Sequence, residues 1–113
     1  MIKQGDLYWY DFGAPVDERQ AGNRPALIIQ TDFLNDIASY GLTIVLPITT
    51  KGRSSHIKIE PSTLNCLPVT SYVKFEQIYT VTKRNLGNPI GRLDAEDLKR
   101  VKAMLREVFS LGS

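Results

Sequence analysis

The chain has 113 residues and a mass of 12.7 kDa, 42% apolar and 23% charged, the mix of one ordinary globular domain. Its single cysteine, Cys66, excludes an internal disulfide framework, and no apolar run approaches the ~20 residues of a membrane span. The lone cysteine fits a reducing cytosol, so a cytoplasmic protein is expected, and the start, Met1 to Asp6, lacks the charged-then-apolar layout of a secretory signal. The net charge of +2 is unevenly spread. Residues 1–50 carry three Lys/Arg against six Asp/Glu, and residues 51–113 carry eleven against six. A basic half can draw an anionic partner such as nucleic acid or an acidic peptide.

Most segments are short, β-rich and punctuated by Gly, Pro, Asn and Ser. Leu7 to Phe12 is aromatic-rich and reads as a first strand. Gly13 to Asn23 is a polar loop, long enough to suggest a functional role. Pro25 to Gln30 reads as a central strand that its proline opens, and Asp32 to Asp36 as a short helical turn or loop. Leu42 to Thr49 is the next strand, with Pro47 marking an edge or a bulge. Thr49 to Ser55 is a basic connection. In His56 to Glu60, Ile57 and Ile59 face a core while His56, Lys58 and Glu60 face outward. Pro61 to Val69 is a loop. Ser71 to Gln77 reads as a strand with Val73 and Phe75 on one face and Tyr72, Lys74 and Glu76 on the other; Ile78 to Thr82 continues or bends it.

The last segment changes period. Leu98, Val101, Leu105, Val108 and Phe109 recur at helical spacing, Asp94 suits an N-cap, and Leu93 and Leu98 suit a hydrophobic staple. Gly112 is the expected stop. Lys99, Arg100 and Lys102 lie off the apolar stripe. Five or more strands with one terminal helix predict a small, strongly bent barrel of the mostly-β or α+β class.

One histidine and one cysteine cannot build a spaced Cys/His cluster, and there is no phosphate-cradling glycine loop or serine-nucleophile elbow, so no metal and no cofactor is expected. What remains is polar side chains at strand ends. Arg24 stands where the long loop meets an apolar strand, Thr49 and Thr50 end a strand, and Lys74 and Glu76 share an outward face. Read singly, a surface ion pair, turn chemistry and a solvated cross-strand pair account for them.

Together they carry a resemblance. Gly5-Asp6-Leu7-Tyr8-Trp9, Arg24-Pro25-Ala26-Leu27-Ile28-Ile29-Gln30, Asn35, Val45-Leu46-Pro47-Ile48-Thr49-Thr50 and Glu76-Gln77-Ile78-Tyr79-Thr80-Val81 resemble the MazF/PemK family in order and spacing. Lys83, Leu86, Gly91 and Leu93 extend the match, which covers about residues 4 to 111. The resemblance implies an SH3-like small β-barrel with a C-terminal α-helix, assembled as a homodimer. It implies a toxin of a type II toxin–antitoxin pair: a sequence-specific, metal-independent endoribonuclease cutting single-stranded mRNA, inhibited by a cognate antitoxin that lays an acidic segment along the RNA groove. Two alternatives share this fold, a gyrase-targeting toxin and a non-catalytic regulator. Gyrase-targeting relatives carry a Trp near the end of the helix, whereas the tail here is Val108 to Ser113 and the only Trp is Trp9.

Carried over by position, Arg24 matches the active-site arginine and Thr49 the active-site threonine. A guanidinium can hold phosphate oxygens bidentately and stabilise charge that builds during cleavage, and a hydroxyl can orient the phosphate. Some relatives place an Arg-x-Asp pair where this chain reads Lys74-Phe75-Glu76, which makes Glu76 the candidate proton acceptor. Others place a Glu five residues before the arginine, where this chain has Arg19 with the carboxylate displaced to Glu18. His56 is a further proton-transfer candidate. The family usually has Gly where Cys66 stands. Glu18, Gln20, Asn23, Thr50, Lys51, Arg53, His56, Lys74 and Gln77 are the expected RNA contacts, with Tyr72 or Phe12 available to stack on a base.

Overall fold

A computed structural model describes residues 1–112. Seven strands and two helices follow in the order β1 (Asp6–Asp11), β2 (Asn23–Ile28), α1 (Asp32–Asn35), β3 (Leu42–Thr49), β4 (Ile57–Ile59), β5 (Ser71–Val73), β6 (Tyr79–Thr82), β7 (Pro89–Arg92) and α2 (Ala95–Val108), with a 3-10 turn at Lys83–Asn85 before β7. The strands pair antiparallel in the order β4-β5-β3-β2-β1-β7, and β6 also pairs with β3.

The curl of this sheet comes from β3. On one side its first half, Leu42 to Val45, pairs with β6, and its end, Ile48 and Thr49, pairs with β5. Pro47 lies between the two, where a missing N–H costs no hydrogen bond on that side, and its carbonyl accepts from Lys74 N–H at 3.0 Å. Pro47 therefore marks a bend in a central strand, not an edge.

Alternation along β2 and β3 divides the apolar side chains between two faces. Leu27, Leu46 and Ile48 join Leu7, Ile57, Ile59, Val73, Leu93 and Val101 in the main core. Ala26, Ile28, Val45 and Val81 form a second cluster beneath Tyr8, Tyr10, Phe12 and Tyr79. Helix α2 closes the main core with Val101, which is fully buried and contributes roughly 1.5–3 kcal/mol of burial energy. Its start follows the expectation, since Asp94 Oδ1 accepts from Asp97 N–H at 2.7 Å. Its end does not. The chain turns at Ser110, in the left-handed region at φ 54, with Leu111 N–H on Arg106 C=O and Ser110 N–H on Glu107 C=O. Val108 and Phe109 are exposed, so the helix's apolar stripe ends at Leu105.

Three further differences bear on the site. Strand β2 begins at Asn23, which puts Arg24 inside the strand. The strand expected over Ser71–Gln77 stops at Val73, and Lys74 to Gln77 forms a turn closed by Gln77 N–H on Lys74 C=O at 3.1 Å. Strand β7 was not expected, because four residues holding a Pro and a Gly carry little periodicity. Gly91 has a packing reason: a Cβ there would sit 2.5 Å from the Leu64 carbonyl oxygen. Cys66 is exposed with φ 55, a conformation that favours glycine. No helix among the described residues is long and apolar enough to cross a membrane.

Candidate active site

Continuing the β2–β3 register two residues beyond Ala26↔Pro47 sets Arg24 opposite Thr49. The two line one cleft of about 190 Å³ with Asn23 and Thr50, walled by Trp9, Pro25, Ile48, Leu67, Pro68 and Ser71. Arg24 is the only charged side chain among the described residues lining it. Its Nε donates to the Ala21 carbonyl at 3.3 Å, which fixes the stem and leaves the two terminal nitrogens free to donate outward. Thr49 is buried, and its Oγ1 accepts from Lys51 N–H at 3.2 Å, so its own hydrogen is free to be donated. A fork and a hydroxyl, both acting as donors in an otherwise uncharged cleft, make a site for an oxyanion.

A second, larger depression of about 650 Å³ adjoins the first across the Thr50–Lys51 link. It gathers Glu18, Lys51, Arg53, His56, Lys74, Glu76 and Gln77 of the expected set, with Asp17 and Arg19. Four cations and three carboxylates therefore share one wall-to-wall polar surface. Arg19 pairs with Asp17 at 2.9 Å and holds that carboxyl below its ordinary value. Glu76 lines this depression and not the Arg24 cleft, because the Lys74–Gln77 segment turns away instead of extending β5. The His56 side chain is largely enclosed, at 7% exposure, although the alternation of its segment assigned it an outward face.

Other expected contacts have structural work. Gln77 Oε1 accepts from Gln20 N–H at 2.7 Å, and its Nε2 donates to the Glu18 carbonyl at 3.0 Å, so the amide pairs with the long loop as a strand would. The Tyr79 hydroxyl donates to the same Oε1 at 3.3 Å, and burial pushes that phenol's pKa up. The Gln20 side chain lies in a separate recess beside Phe12, Val16 and Tyr79. Phe12 packs edge-on between Tyr10 and Tyr79, with ring centroids 4.9 and 5.1 Å away, and is not free to stack on a base. Tyr72 lies under Gly52, where an added Cβ would fall 2.0 Å from its ring. No group of three or more His, Cys, Asp or Glu among the described residues is placed to hold a metal ion.

A sequence profile of PemK-like, MazF-like toxins of type II toxin–antitoxin systems matches residues 3–109. The chain belongs to the PemK/MazF family. An endoribonuclease MazF2 of Mycobacterium bovis is 30% identical over 115 residues, covering 98% of this chain and 99% of its own length. Endoribonuclease EndoA of Bacillus subtilis is also 30% identical, with 98% and 97% covered. Among solved structures, a mycobacterial endoribonuclease in complex with its cognate antitoxin superposes with a TM-score of 0.80 at 21% identity, covering 100% of this chain and 99% of its own. Crystalline MazF of Deinococcus radiodurans gives 0.78 at 22% identity, with 96% of each chain covered. At those identities the structural likeness carries the fold: a curled antiparallel sheet with one C-terminal helix.

In this PemK/MazF chain Trp9 is a further member of the cleft, one that the aromatic run of β1 did not single out. It stands opposite Pro25 in the β1–β2 register, lines the Arg24 cleft and is 39% exposed. Period-2 alternation offered a signal. Trp9 shares parity with buried Leu7 but falls beyond the core, which leaves a large ring at the mouth of a cationic cleft.

Proposed function

We propose that this chain is the toxin of a type II toxin–antitoxin pair, a cytoplasmic, sequence-specific endoribonuclease that cuts single-stranded mRNA without a metal, works as a homodimer and is silenced by a cognate antitoxin. The observation that carries the reading is the meeting of Arg24 and Thr49, distant in the sequence, as outward-directed donors in one cleft. Support for the activity comes from the endoribonucleases to which the chain is similar along its whole length. Support for the antitoxin comes from the solved mycobacterial complex of the same fold.

In the proposed reaction the 2′-oxygen of one ribose attacks the adjacent phosphorus. The hydroxyl proton passes to solvent water as the bond from phosphorus to O2′ forms, the bond to O5′ breaks, and the departing oxygen takes up a proton from solvent water. Negative charge grows on the non-bridging oxygens as this happens. The Arg24 fork holds those oxygens and the Thr49 hydroxyl adds a third donor, already fixed before substrate arrives. Arginine stays protonated throughout, so its part is electrostatic and not proton transfer. Trp9 offers a stacking surface for a neighbouring base. The cations of the adjoining depression, Lys51, Arg53 and Lys74, hold flanking phosphates.

The test is cleavage of a long single-stranded transcript in excess EDTA. Wild-type protein should cut at a defined motif, and Arg24→Ala should lower the rate about 10²–10³-fold, the cost of removing one oxyanion donor, with the melting temperature unchanged. Intact RNA with wild-type protein, or equal rates for the two proteins, overturns the proposal.

A further inference from the structure

Glu76 reaches the large depression through a fixed chain of contacts. The Arg53 backbone N–H donates to His56 Nδ1 at 3.1 Å. A ring nitrogen that accepts carries no hydrogen, so the neutral imidazole bears its proton on Nε2. That nitrogen lies 3.3 Å from Glu76 Oε2 and donates to it. The ring is enclosed and packs edge-on against Phe75 at 6.4 Å, so it cannot swing away freely. Glu76 itself is 47% exposed on the depression wall. Its Oε1 has no partner among the described residues, and Oε2 keeps a lone pair. A largely enclosed donor thus aims a pair of adjacent acceptors into a polar hollow lined by Lys51, Arg53 and Lys74.

The four RNA bases differ in what they offer such a pair. On its pairing edge guanine presents two neighbouring donors, N1–H and N2–H, which match both carboxylate oxygens. Cytosine and adenine each present one amino donor beside a ring-nitrogen acceptor that repels the second oxygen. Uracil presents one N–H between two carbonyls. Unpaired bases in single-stranded RNA expose these edges. We infer that Glu76, positioned by His56, reads a guanine in the RNA strand. This rests on the endoribonuclease reading and names the base that one of its subsites selects. In this assignment Glu76 sets specificity, and the bond-breaking chemistry stays in the Arg24–Thr49 cleft.

Binding of 2′-O-methyl heptamers, U3-N-U3, to the wild-type protein isolates recognition from cleavage, since the attacking hydroxyl is blocked. Fluorescence anisotropy with N as G, A, C or U should show guanine binding about 10–100-fold tighter, the discrimination of a bidentate base contact. Inosine, which lacks the N2 amino group, should fall between, and 1-methylguanine should lose the advantage. Glu76→Gln should abolish the preference while melting at the wild-type temperature. His56→Phe, which keeps the ring packing and loses the donor, should reduce it, a change in base discrimination that a merely structural role would not produce. Equal binding of the four heptamers, or a guanine preference untouched by Glu76→Gln, overturns the inference. If the wild type still cuts transcripts in EDTA, the nuclease reading survives that result. If it neither binds nor cuts RNA, both fall.

Discussion

The cleft around Arg24 is framed by strands, whereas the depression around Glu76 is framed by loops and a turn. Trp9, Arg24, Thr49 and Ser71 stand on β1, β2, β3 and β5, four strands tied to one another by backbone ladders. Glu18, Lys51, Arg53 and Glu76 stand on three connections that side-chain bonds join to one another. A rigid frame suits a phosphate, whose shape is the same at every nucleotide and whose transition state rewards fixed donors. Loops suit bases, which differ, because loop residues can change without disturbing the ladder. The two regions should therefore respond differently to mutation. Damage to the cleft lowers turnover on every RNA, and damage to the depression changes which RNA is chosen.

The strongest challenge to that division is a residue on the connection between the two regions. Gly52 follows Lys51 on the connection that links the two regions, and a Cβ there would fall 2.0 Å from Tyr72 Cγ and 2.3 Å from Tyr72 Cβ. These are atoms near the backbone of β5 and cannot swing aside. Tyr72 is the partner of Thr49 across β3 and β5. Gly52→Ala should cost about 1–3 kcal/mol of stability, the range for overpacking, and should lower both turnover and RNA affinity. Urea melts and cleavage assays on the same preparation check this. Unchanged stability with full activity would show that the connection is free to move and that the two regions are independent.

The same contrast explains what could be read in the amino-acid sequence. Arg24 and Thr49 were legible together, through the resemblance of the Arg24–Gln30 and Val45–Thr50 segments to the PemK/MazF family, and Asp94 and Leu98 because cap and stripe repeat at helical spacing. Lys74, Phe75 and Glu76 continue the alternation of Tyr72 and Val73, yet the chain turns there; periodicity cannot see a turn closed by Gln77 N–H on Lys74 C=O. Strand β7 is held by the ladder to β1 and by the close approach of Gly91 to Leu64, both tertiary facts. The roles of Gln77 and His56 depend on which backbone groups lie opposite them, and those groups are 57 and 3 residues away in sequence. No local pattern encodes the first of these.

Gln77 gives the next sharpest test. Its amide makes two hydrogen bonds to the loop backbone, at Gln20 and Glu18, each worth about 1 kcal/mol. Gln77→Ala should leave the strand cleft intact and free the loop wall. The expected result is a rise in KM for RNA of about tenfold, equivalent to 1.4 kcal/mol, with kcat nearly kept and the cleavage motif relaxed. Gln77→Glu should be worse, since it replaces the donor to the Glu18 carbonyl with a repelling oxygen. Mapping of cleavage ends, together with the susceptibility of residues 13–23 to protease, measures both consequences. A fall in kcat at constant KM would move Gln77 from loop support into the chemistry.

The smallest expected effect comes from the end of α2. Ser110 adopts φ 54 at the end of α2, a conformation costing a non-glycine residue roughly 1–2 kcal/mol, and it closes the helix through Leu111 N–H on Arg106 C=O. Ser110→Gly removes that strain but gives the unfolded chain more freedom, so a net stabilisation of up to about 1 kcal/mol is expected. The substitution lies among the residues lining neither the Arg24 cleft nor the Glu76 depression. Stability should therefore rise while kcat, KM and the cleavage motif stay fixed. If they shift with it, helix α2 transmits strain through Val101 into the core beneath Leu46 and Ile48, and the strand frame around Thr49 is softer than its ladders imply.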